Sequence, residues 1–348
     1  MRNFRDRDFV KTLEGFFFCV VGSMHPLDRV IAYIKYIPAD LGVWGNKENK
    51  FERVLKNYTI PDLLKTFQFI EQNYPQYLFL SQKDKIKITA VPHEYIQTHF
   101  MPEKKLASLR QLSELDTLQE KLVRFTKFLE EISGVSENSF GVTGSLLLGI
   151  HQPSFSDIDV IVYGKKESWV LKNALTTNRK SKSFMKYLEG RALKDWSLKK
   201  SKQYPLTTKE AMKLYERKWN IGFFEDKYVS IHPVKIEREV TEKYEEKNYI
   251  PYGQVKLEAV VYDNIDSLFL PATYLIKDVE FLSGKHFEDV TEIVTYESLY
   301  CSLAENGEKI EVKGKLEKIF EKRKKRHHYR VVVGSAEGKG LEYIKLVE

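Results

Sequence analysis

Residues 144–160 read GSLLLGIHQPSFSDIDV, and this stretch constrains the fold more than any other part of the chain. A Gly-Ser pair is followed by eleven residues and then by Asp157 and Asp159, which Ile158 separates. Side chains at i and i+2 of a strand point to the same face, so the two carboxylates would lie side by side. Like charges held that close repel each other unless a cation offsets them. Because Mg²⁺ binds to one or two protein carboxylates together with substrate phosphates, the pattern indicates phosphoryl-transfer chemistry.

The order of Gly144, Ser145 and the Asp-Ile-Asp triplet resembles the DNA polymerase β-like nucleotidyltransferase superfamily. The spacing to Gly149 is similar to that of its small prokaryotic members, and the whole chain is similar to uncharacterised archaeal proteins that carry this domain. The resemblance implies a polymerase β-like palm and the transfer of a nucleoside monophosphate from an NTP to an acceptor hydroxyl. It also implies that Asp157 and Asp159 bind Mg²⁺ (or Mn²⁺) and act in catalysis.

The Gly-Ser turn is expected to begin a helix, whose backbone N–H groups can bind phosphate. Gly144 and Ser145 are therefore candidate nucleotide-binding residues, and Ser156, beside the first aspartate, is a third. In the alternative interpretation the stretch is a polar turn followed by a buried strand whose aspartates are capped or salt-bridged. Unpaired carboxylates in such an apolar strand would be costly, which favours the metal site.

The superfamily usually supplies a third carboxylate, from a neighbouring strand, as the base for the attacking hydroxyl. The corresponding strand here, residues 228–236, carries Ser230 and His232 at its inward positions, and neither side chain is acidic. Four residues remain as candidate bases: Glu225, Asp226, His232 and Glu258. A catalytically inactive nucleic-acid-binding scaffold would show the same departure and is an alternative interpretation.

Positive charge is concentrated in one segment of the chain. Residues 178–218 contain thirteen Lys or Arg and four Asp or Glu, whereas the net charge of the whole chain is only +7. A second cluster spans residues 322–328. Basic patches with interspersed aromatic residues favour RNA or DNA as the partner, although a lysine-rich solvated surface would look similar. A protein- or small-molecule-directed nucleotidyltransferase is the close alternative.

The remaining composition excludes several classes of protein. The sequence contains no run of eighteen apolar residues, so we expect no transmembrane helix. The N-terminal residues do not have the pattern of a signal peptide, and we expect no membrane association. Cys19 and Cys301 are the two cysteines, which suits a cytoplasmic protein and excludes a cysteine-rich zinc module.

The element pattern predicts an α+β fold with three domains. An N-terminal α+β domain (1–104) contains a hairpin of residues 15–21 and 29–37. A nucleotidyltransferase domain (105–245) contains an amphipathic helix with its apolar stripe at 115–132, N-capped by Ser113 and ended by Gly134. Six strand-like runs then predict a small C-terminal β-barrel (250–348), for which the oligonucleotide-binding (OB) type is one candidate.

Overall fold

A computed structural model of the protein describes residues 2–55, 57–83, 85–179 and 185–347, and the chain folds as α+β. In these ranges seven α-helices accompany three β-sheets, which confirms the predicted fold class at this level. No helix in the described ranges is long and apolar enough to cross a bilayer.

The elements follow one another along the chain in two groups. The strands and helices that precede the carboxylates are β1 (Phe9–Thr12), β2 (Phe17–Val20), β3 (Arg29–Pro38), β4 (Trp44–Gly45), β5 (Lys50–Arg53), α1 (Ile60–Asn73), β6 (Leu78–Ser81), β7 (Ile86–Pro92), β8 (Ile96–Phe100), α2 (Pro102–Gln111), α3 (Thr117–Ser133), β9 (Phe140–Val142) and α4 (Gly144–Leu148). Those that follow are β10 (Ile158–Tyr163), α5 (Lys165–Thr177), β11 (Met185–Lys186), α6 (Gly190–Gln203), α7 (Thr208–Arg217), β12 (Ile221–Phe224), β13 (Lys227–Val234), β14 (Lys247–Asp263), β15 (Ala272–Ser283), β16 (Val290–Thr295), β17 (Lys309–Glu321), β18 (Arg326–Val333) and β19 (Tyr343–Leu346).

Contacts between these elements divide the chain into two compact units. The first unit comprises residues 1–56, 90–188 and 219–241, and the second comprises 57–89, 189–218 and 242–348. Each unit therefore joins stretches that are far apart in sequence. The predicted three-domain division stays a prediction.

Two sheets form the first unit. One has the order β4-β5-β3-β2-β1-β8, with residues 90–92 of β7 also paired to β3. The antiparallel pairing of β2 with β3 confirms the predicted N-terminal hairpin. The other sheet has the order β11-β12-β13-β10-β9, in which β10 is antiparallel to β9 and parallel to β13. The strand that carries Asp159 is thus bordered on both edges, which fixes the direction of its side chains.

The amphipathic helix α3 forms as its apolar spacing predicts. Leu118, Leu122 and Phe125 are fully buried, and Gly134 ends the helix with a left-handed backbone (φ +68°). The predicted N-cap Ser113 is wrong. Asp116 occupies that position and accepts from the backbone N–H groups of residues 118 and 119, in a capping box with Gln119. In a capping box the cap residue lies three positions before the Gln that bonds back to it. Asp116 has this spacing to Gln119, whereas Ser113 lies six positions before it.

The second unit contains the long β-strands of the chain. In its sheet β14 pairs with β15, β15 with β16, β16 with β18, β18 with β17, and β17 again with β14. The pairing of β16 with β18 is parallel and the others in this series are antiparallel. All six predicted C-terminal strands are present. Their inward side chains form one hydrophobic core, to which Tyr204, Leu206 and Leu214 from the helical stretch also contribute.

Truncation of Leu122 should test the packing of α3. Leu122 is fully buried, so Leu122→Ala leaves a cavity and should lower the free energy of unfolding by about 2–5 kcal/mol. Leu112 is 52% exposed, and Leu112→Ala should change that free energy by less than about 0.5 kcal/mol. Urea unfolding followed by circular dichroism measures both variants. Equal losses in the two would contradict the burial of this helix face.

Candidate active site

Asp157 and Asp159 lie at the start of β10 in the first unit. Asp157 immediately precedes the strand and is exposed, whereas Asp159 is its second residue and its side chain is 30% exposed. The backbone carbonyl of Asp159 accepts from the N–H of Thr143 at 2.9 Å, which ties β10 to the turn before α4. The predicted carboxylates and the predicted Gly-Ser turn are therefore brought together.

Asp159 is held by two residues of the neighbouring strand β13. The Ser230 hydroxyl donates to Asp159 Oδ1, and Ser230 Oγ lies 2.8 Å from His232 Nε2. Because the single hydroxyl hydrogen of Ser230 goes to the carboxylate, His232 Nε2–H donates to Ser230. Burial and the Arg7 charge lower the pKa of His232 below its ordinary value, which keeps the ring neutral at pH 7. The result is a directed chain of hydrogen bonds from His232 through Ser230 to Asp159.

The two carboxyl groups have opposite pKa shifts. Although Asp157 is exposed, neighbouring protein atoms partly desolvate its carboxyl group, and this desolvation and the Asp159 charge raise its pKa to about 6, while the charges of Arg53, Lys227 and Lys35 act in the other direction. Burial would also raise the pKa of Asp159, but the Nε2–H group of His232, 3.6 Å from Asp159 Oδ1, the charge of Lys35 and the hydrogen bond from Ser230 hold it well below its usual range. Asp159 is therefore ionised at neutral pH, and its charge makes ionisation of Asp157 unfavourable.

Cations from the N-terminal strands act on this pair, and the sequence interpretation missed them. Lys35 on β3 is only 7% exposed, and Arg53 is the last residue of β5. The Lys35 charge lowers the pKa of both aspartates, and the Arg53 charge lowers that of Asp157. One signal was visible in the sequence: Lys35 interrupts the apolar run of β3 at a position where an unpaired ammonium group would be costly.

The Gly-Ser turn is a close fit around Asp159. Gly144 has a left-handed backbone (φ +69°), and a Cβ on it would lie 2.6 Å from Asp159 Oδ2. Only glycine adopts this conformation while leaving that space free. Ser145 is 9% exposed at the start of the five-residue helix α4. Leu147 of this helix and the nearby Ile150 pack against the N-terminal sheet. They form a hydrophobic cluster with Phe9, Phe17, Cys19, Tyr36 and Phe51.

Ser156 and the preceding loop have structural contacts of their own. The Ser156 hydroxyl accepts from the backbone N–H of Gln152 at 2.9 Å, and Ser156 is 5% exposed. His151 Nε2 lies 2.7 Å from Asp116 Oδ2, which joins the loop to the N-terminus of α3. These bonds fix the path of the chain between α4 and the carboxylates.

Of the four candidate bases, the structure brings His232 to the carboxylate pair. Glu225 and Asp226 form the turn before β13, where they pair with Arg124 and Lys121 of α3. Glu258 lies on β14 in the second unit and pairs with Lys309.

The basic segment 178–218 divides between the two units. Residues 180–184 lie outside the described residues. Arg179, in the first unit, covers the ring of Tyr187 at 4.1 Å. In the second unit α6 exposes Arg191, Lys194, Lys199 and Lys202, whereas Lys218 is buried and donates to the carbonyls of Ser298 and Cys301. Lys218 is thus a structural residue of its unit, and the exposed charge of the segment belongs mainly to α6.

The donor set is compatible with one divalent cation that also binds substrate. Asp157 and Asp159 would contribute two carboxylates, and a cation would offset both the desolvation and the Asp159 charge that raise the pKa of Asp157. In the described ranges no group of three or more His, Cys, Asp or Glu side chains could hold a metal ion. The remaining ligands of Mg²⁺ at this pair would therefore be water and phosphate oxygens.

One relative of the chain covers nearly its full length. The uncharacterized protein MJ1086 of the archaeon Methanocaldococcus jannaschii is 30% identical over 348 residues, 98% of each chain. The chain belongs to the same family as MJ1086. No protein-family model matches the chain, and no solved structure matches it significantly. The similarity to MJ1086 extends through the sequence of both compact units.

Replacing Asp157 with Asn should stabilise the metal-free protein at pH 8 but not at pH 4. The folded-state pKa of Asp157, about 6, lies above the ordinary value of 3.8. The penalty on its charged form is therefore absent below pH 3.8, grows as pH rises and is complete above pH 6. We expect a gain of about 1 kcal/mol at pH 8, since solvent screens part of the repulsion.

Asp226→Asn is the matched control with the opposite sign. The hydrogen bond from Lys121 lowers the pKa of Asp226 below 3.8, so the stabilising contribution of its charged form is complete above pH 3.8 and this variant should be less stable than the wild type throughout pH 4 to pH 8. Thermal unfolding in EDTA from pH 4 to pH 8 measures both. A destabilised Asp157→Asn protein at pH 8 would show that the two aspartates do not repel each other.

Proposed function

We propose that the chain is a Mg²⁺-dependent (or Mn²⁺-dependent) nucleotidyltransferase that moves a nucleoside monophosphate from an NTP to an acceptor hydroxyl on RNA or DNA. The observation that carries the proposal is the Asp157–Asp159 pair. It meets the Gly144 turn and the charges of Lys35 and Arg53 in a single unit. Paired carboxylates beside fixed cations suit a metal-bound triphosphate.

In this reaction the acceptor oxygen forms a bond to the α-phosphorus, the bond to pyrophosphate breaks, and the acceptor hydroxyl releases its proton to water. Mg²⁺ held by Asp157 and Asp159 would neutralise the charge on the triphosphate and the departing pyrophosphate. Lys35 and Arg53 would bind phosphate oxygens and supply charge that needs no reorganisation. Ser230 and His232 keep Asp159 in place through their hydrogen bonds.

We also propose a fold type for one sheet of each unit. The β9-β10-β13 arrangement, with a Gly-Ser turn directly after β9 and carboxylates on β10, supports a polymerase β-like palm. In the second unit the series β14-β15-β16-β18-β17 pairs back to β14, which supports a five-stranded barrel of OB type.

An RNA or DNA acceptor is supported by the exposed charge of α6 and of the β17–β18 turn. Four of the exposed side chains of α6 are Lys or Arg, and residues 322–326 read KRKKR. Clustered cations of this kind neutralise backbone phosphates. A small-molecule acceptor would offer no row of phosphates to these surfaces.

The inactive-scaffold alternative is favoured by one observation on β13. Ser230 stands opposite Asp159 in the parallel register and His232 stands opposite Ile161, so neither strand position offers a carboxylate. A scaffold of this kind would bind nucleic acid in the absence of any NTP turnover.

The wild-type protein with Mg²⁺ and an α-³²P-labelled NTP should transfer label to tRNA or an oligonucleotide. Asp157→Asn/Asp159→Asn should lower the rate by at least about 10³-fold, because phosphoryl transfer depends on charge neutralisation. Asp28→Asn/Asp40→Asn removes two exposed carboxylates of the same unit and serves as the matched control. Its rate should equal that of the wild type.

The molecule that receives the ³²P label distinguishes a nucleic-acid acceptor from a protein or small-molecule acceptor. Label on added protein or on a small molecule would overturn the nucleic-acid acceptor. If no NTP is turned over with any acceptor while RNA or DNA still binds, the scaffold interpretation replaces the enzyme.

Lys35→Met should weaken binding of the Mg²⁺–NTP complex about tenfold, equivalent to about 1.4 kcal/mol. Met preserves most of the volume of this buried side chain but removes the charge that acts on both aspartates. Lys50→Met changes an exposed lysine of β5 and should leave the dissociation constant unchanged. Calorimetric titration measures both constants. Equal affinities in the two variants would rule out a phosphate contact for Lys35.

A further inference from the structure

One face of the β14–β17–β18 region carries exposed aromatic side chains beyond the end of the hydrophobic core. Leu316 pairs with Val331 across the β17–β18 ladder, and both are fully buried. Two residues further toward the turn, Lys318 pairs with Tyr329, and after two more Phe320 pairs with His327. Because side chains alternate along a strand, these positions continue the core face toward the turn.

The strand β14 extends this face on its other side. Ile250 is the partner of Lys318, and Asn248 is the partner of Phe320. Ile250 is 50% exposed and Phe320 is 40% exposed, and His327 is exposed as well. We name this three-stranded set of side chains the aromatic face. It consists of Asn248, Ile250, Lys318, Phe320, His327 and Tyr329.

A rigid group of rings supports the aromatic face from the loop after β15. Phe287 stacks on Tyr329 with centroids 4.3 Å apart and planes 23° apart, and Tyr252 meets both rings edge-on. Lys285 and Lys318 lie over the rings of Tyr252 and Tyr329 at 5.6 and 6.0 Å. Tyr329 is 8% exposed, and the exposed ring of His327 meets it edge-on with centroids 6.4 Å apart.

The acidic residues of the β17–β18 hairpin lie on the face opposite the aromatic face. The aromatic face carries no acidic residue at its six positions. The acids Glu317 and Glu321 occupy the alternate positions of β17, where Glu317 pairs with Arg330 and Lys315, and Glu321 with Lys324 and Arg326. The turn that joins the strands exposes five consecutive cations, residues 322–326. The aromatic face is therefore apolar at its centre and positive at its edge.

We propose that the aromatic face binds a single strand of nucleic acid, with bases stacked on Phe320 and His327 and phosphates at the basic turn. This inference specifies the partner of the proposed function and rests on its nucleic-acid acceptor. Exposed rings beside a basic edge match such a strand because every base has a stackable face and every phosphate a charge. A duplex keeps its bases paired and would engage the turn alone.

Fluorescence anisotropy of the full chain with a labelled 12-nucleotide RNA, the DNA of the same sequence and their duplexes tests the proposal. A single strand of either chemistry should bind at least tenfold more tightly than its duplex. Phe320→Ala/His327→Ala should weaken single-strand binding by about tenfold or more. Tyr262→Ala removes an exposed ring of β14 outside the aromatic face and should leave binding unchanged.

The salt dependence separates stacking from charge. Lys322→Gln/Lys325→Gln should reduce the slope of log affinity against log salt, whereas Phe320→Ala/His327→Ala should lower the affinity at an unchanged slope. Equal affinity for strand and duplex, or no loss in the Phe320→Ala/His327→Ala variant, would overturn the proposal.

These titrations contain neither NTP nor Mg²⁺, so they test strand binding independently of nucleotidyl transfer. If strands bind to the aromatic face but no label is transferred, the nucleotidyltransferase proposal fails and the binding surface stands. If RNA is labelled while Phe320→Ala/His327→Ala leaves strand affinity unchanged, the binding surface fails and the enzyme stands.

Discussion

Electrostatic repulsion between Asp157 and Asp159 is the constraint on which the site in the first unit depends. The two carboxylates lie at the start of β10, and desolvation together with the Asp159 charge raises the pKa of Asp157 to about 6. The fold offsets part of this repulsion with the charges of Lys35, Arg53 and Lys227 and with the hydrogen-bonded chain through Ser230. A metal-bound triphosphate would complete the balance, since it brings a divalent cation to the carboxylates and anionic oxygens to the lysine and arginine side chains.

The N-terminal strands and the carboxylate strand belong to one compact unit. Side chains of β1, β2, β3 and β5, mostly aromatic, pack against Leu147 and Ile150, which follow the Gly-Ser turn. Thr143, just before that turn, donates its hydroxyl to the backbone carbonyl of Arg7 at 2.7 Å. The residues that position the turn therefore also position the strands that carry Lys35 and Arg53, so packing and electrostatics depend on the same interface.

Local patterns in the sequence were sufficient to predict where the carboxylates, the Gly-Ser turn, α3 and the C-terminal strands lie. Each of these features depends on residue spacing within about twenty positions. The cations were missed because Lys35 and Arg53 are more than a hundred residues from Asp157 and meet it only through sheet packing. The helix α6 was missed because Ser197 is its single buried residue, so it lacks the apolar stripe that marked α3. The N-cap of α3 was misplaced because Ser113 and Asp116 are both acceptable caps, and the reciprocal bond with Gln119 decides between them.

Diffraction from crystals grown with Mn²⁺ and a non-hydrolysable NTP analogue tests the central claim most directly, because the anomalous signal locates the metal independently of any activity. We expect one Mn²⁺ peak at the carboxylates of Asp157 and Asp159, with the triphosphate bound beside it and near Lys35. A peak elsewhere, or an analogue bound while the two carboxylates point apart, would contradict it.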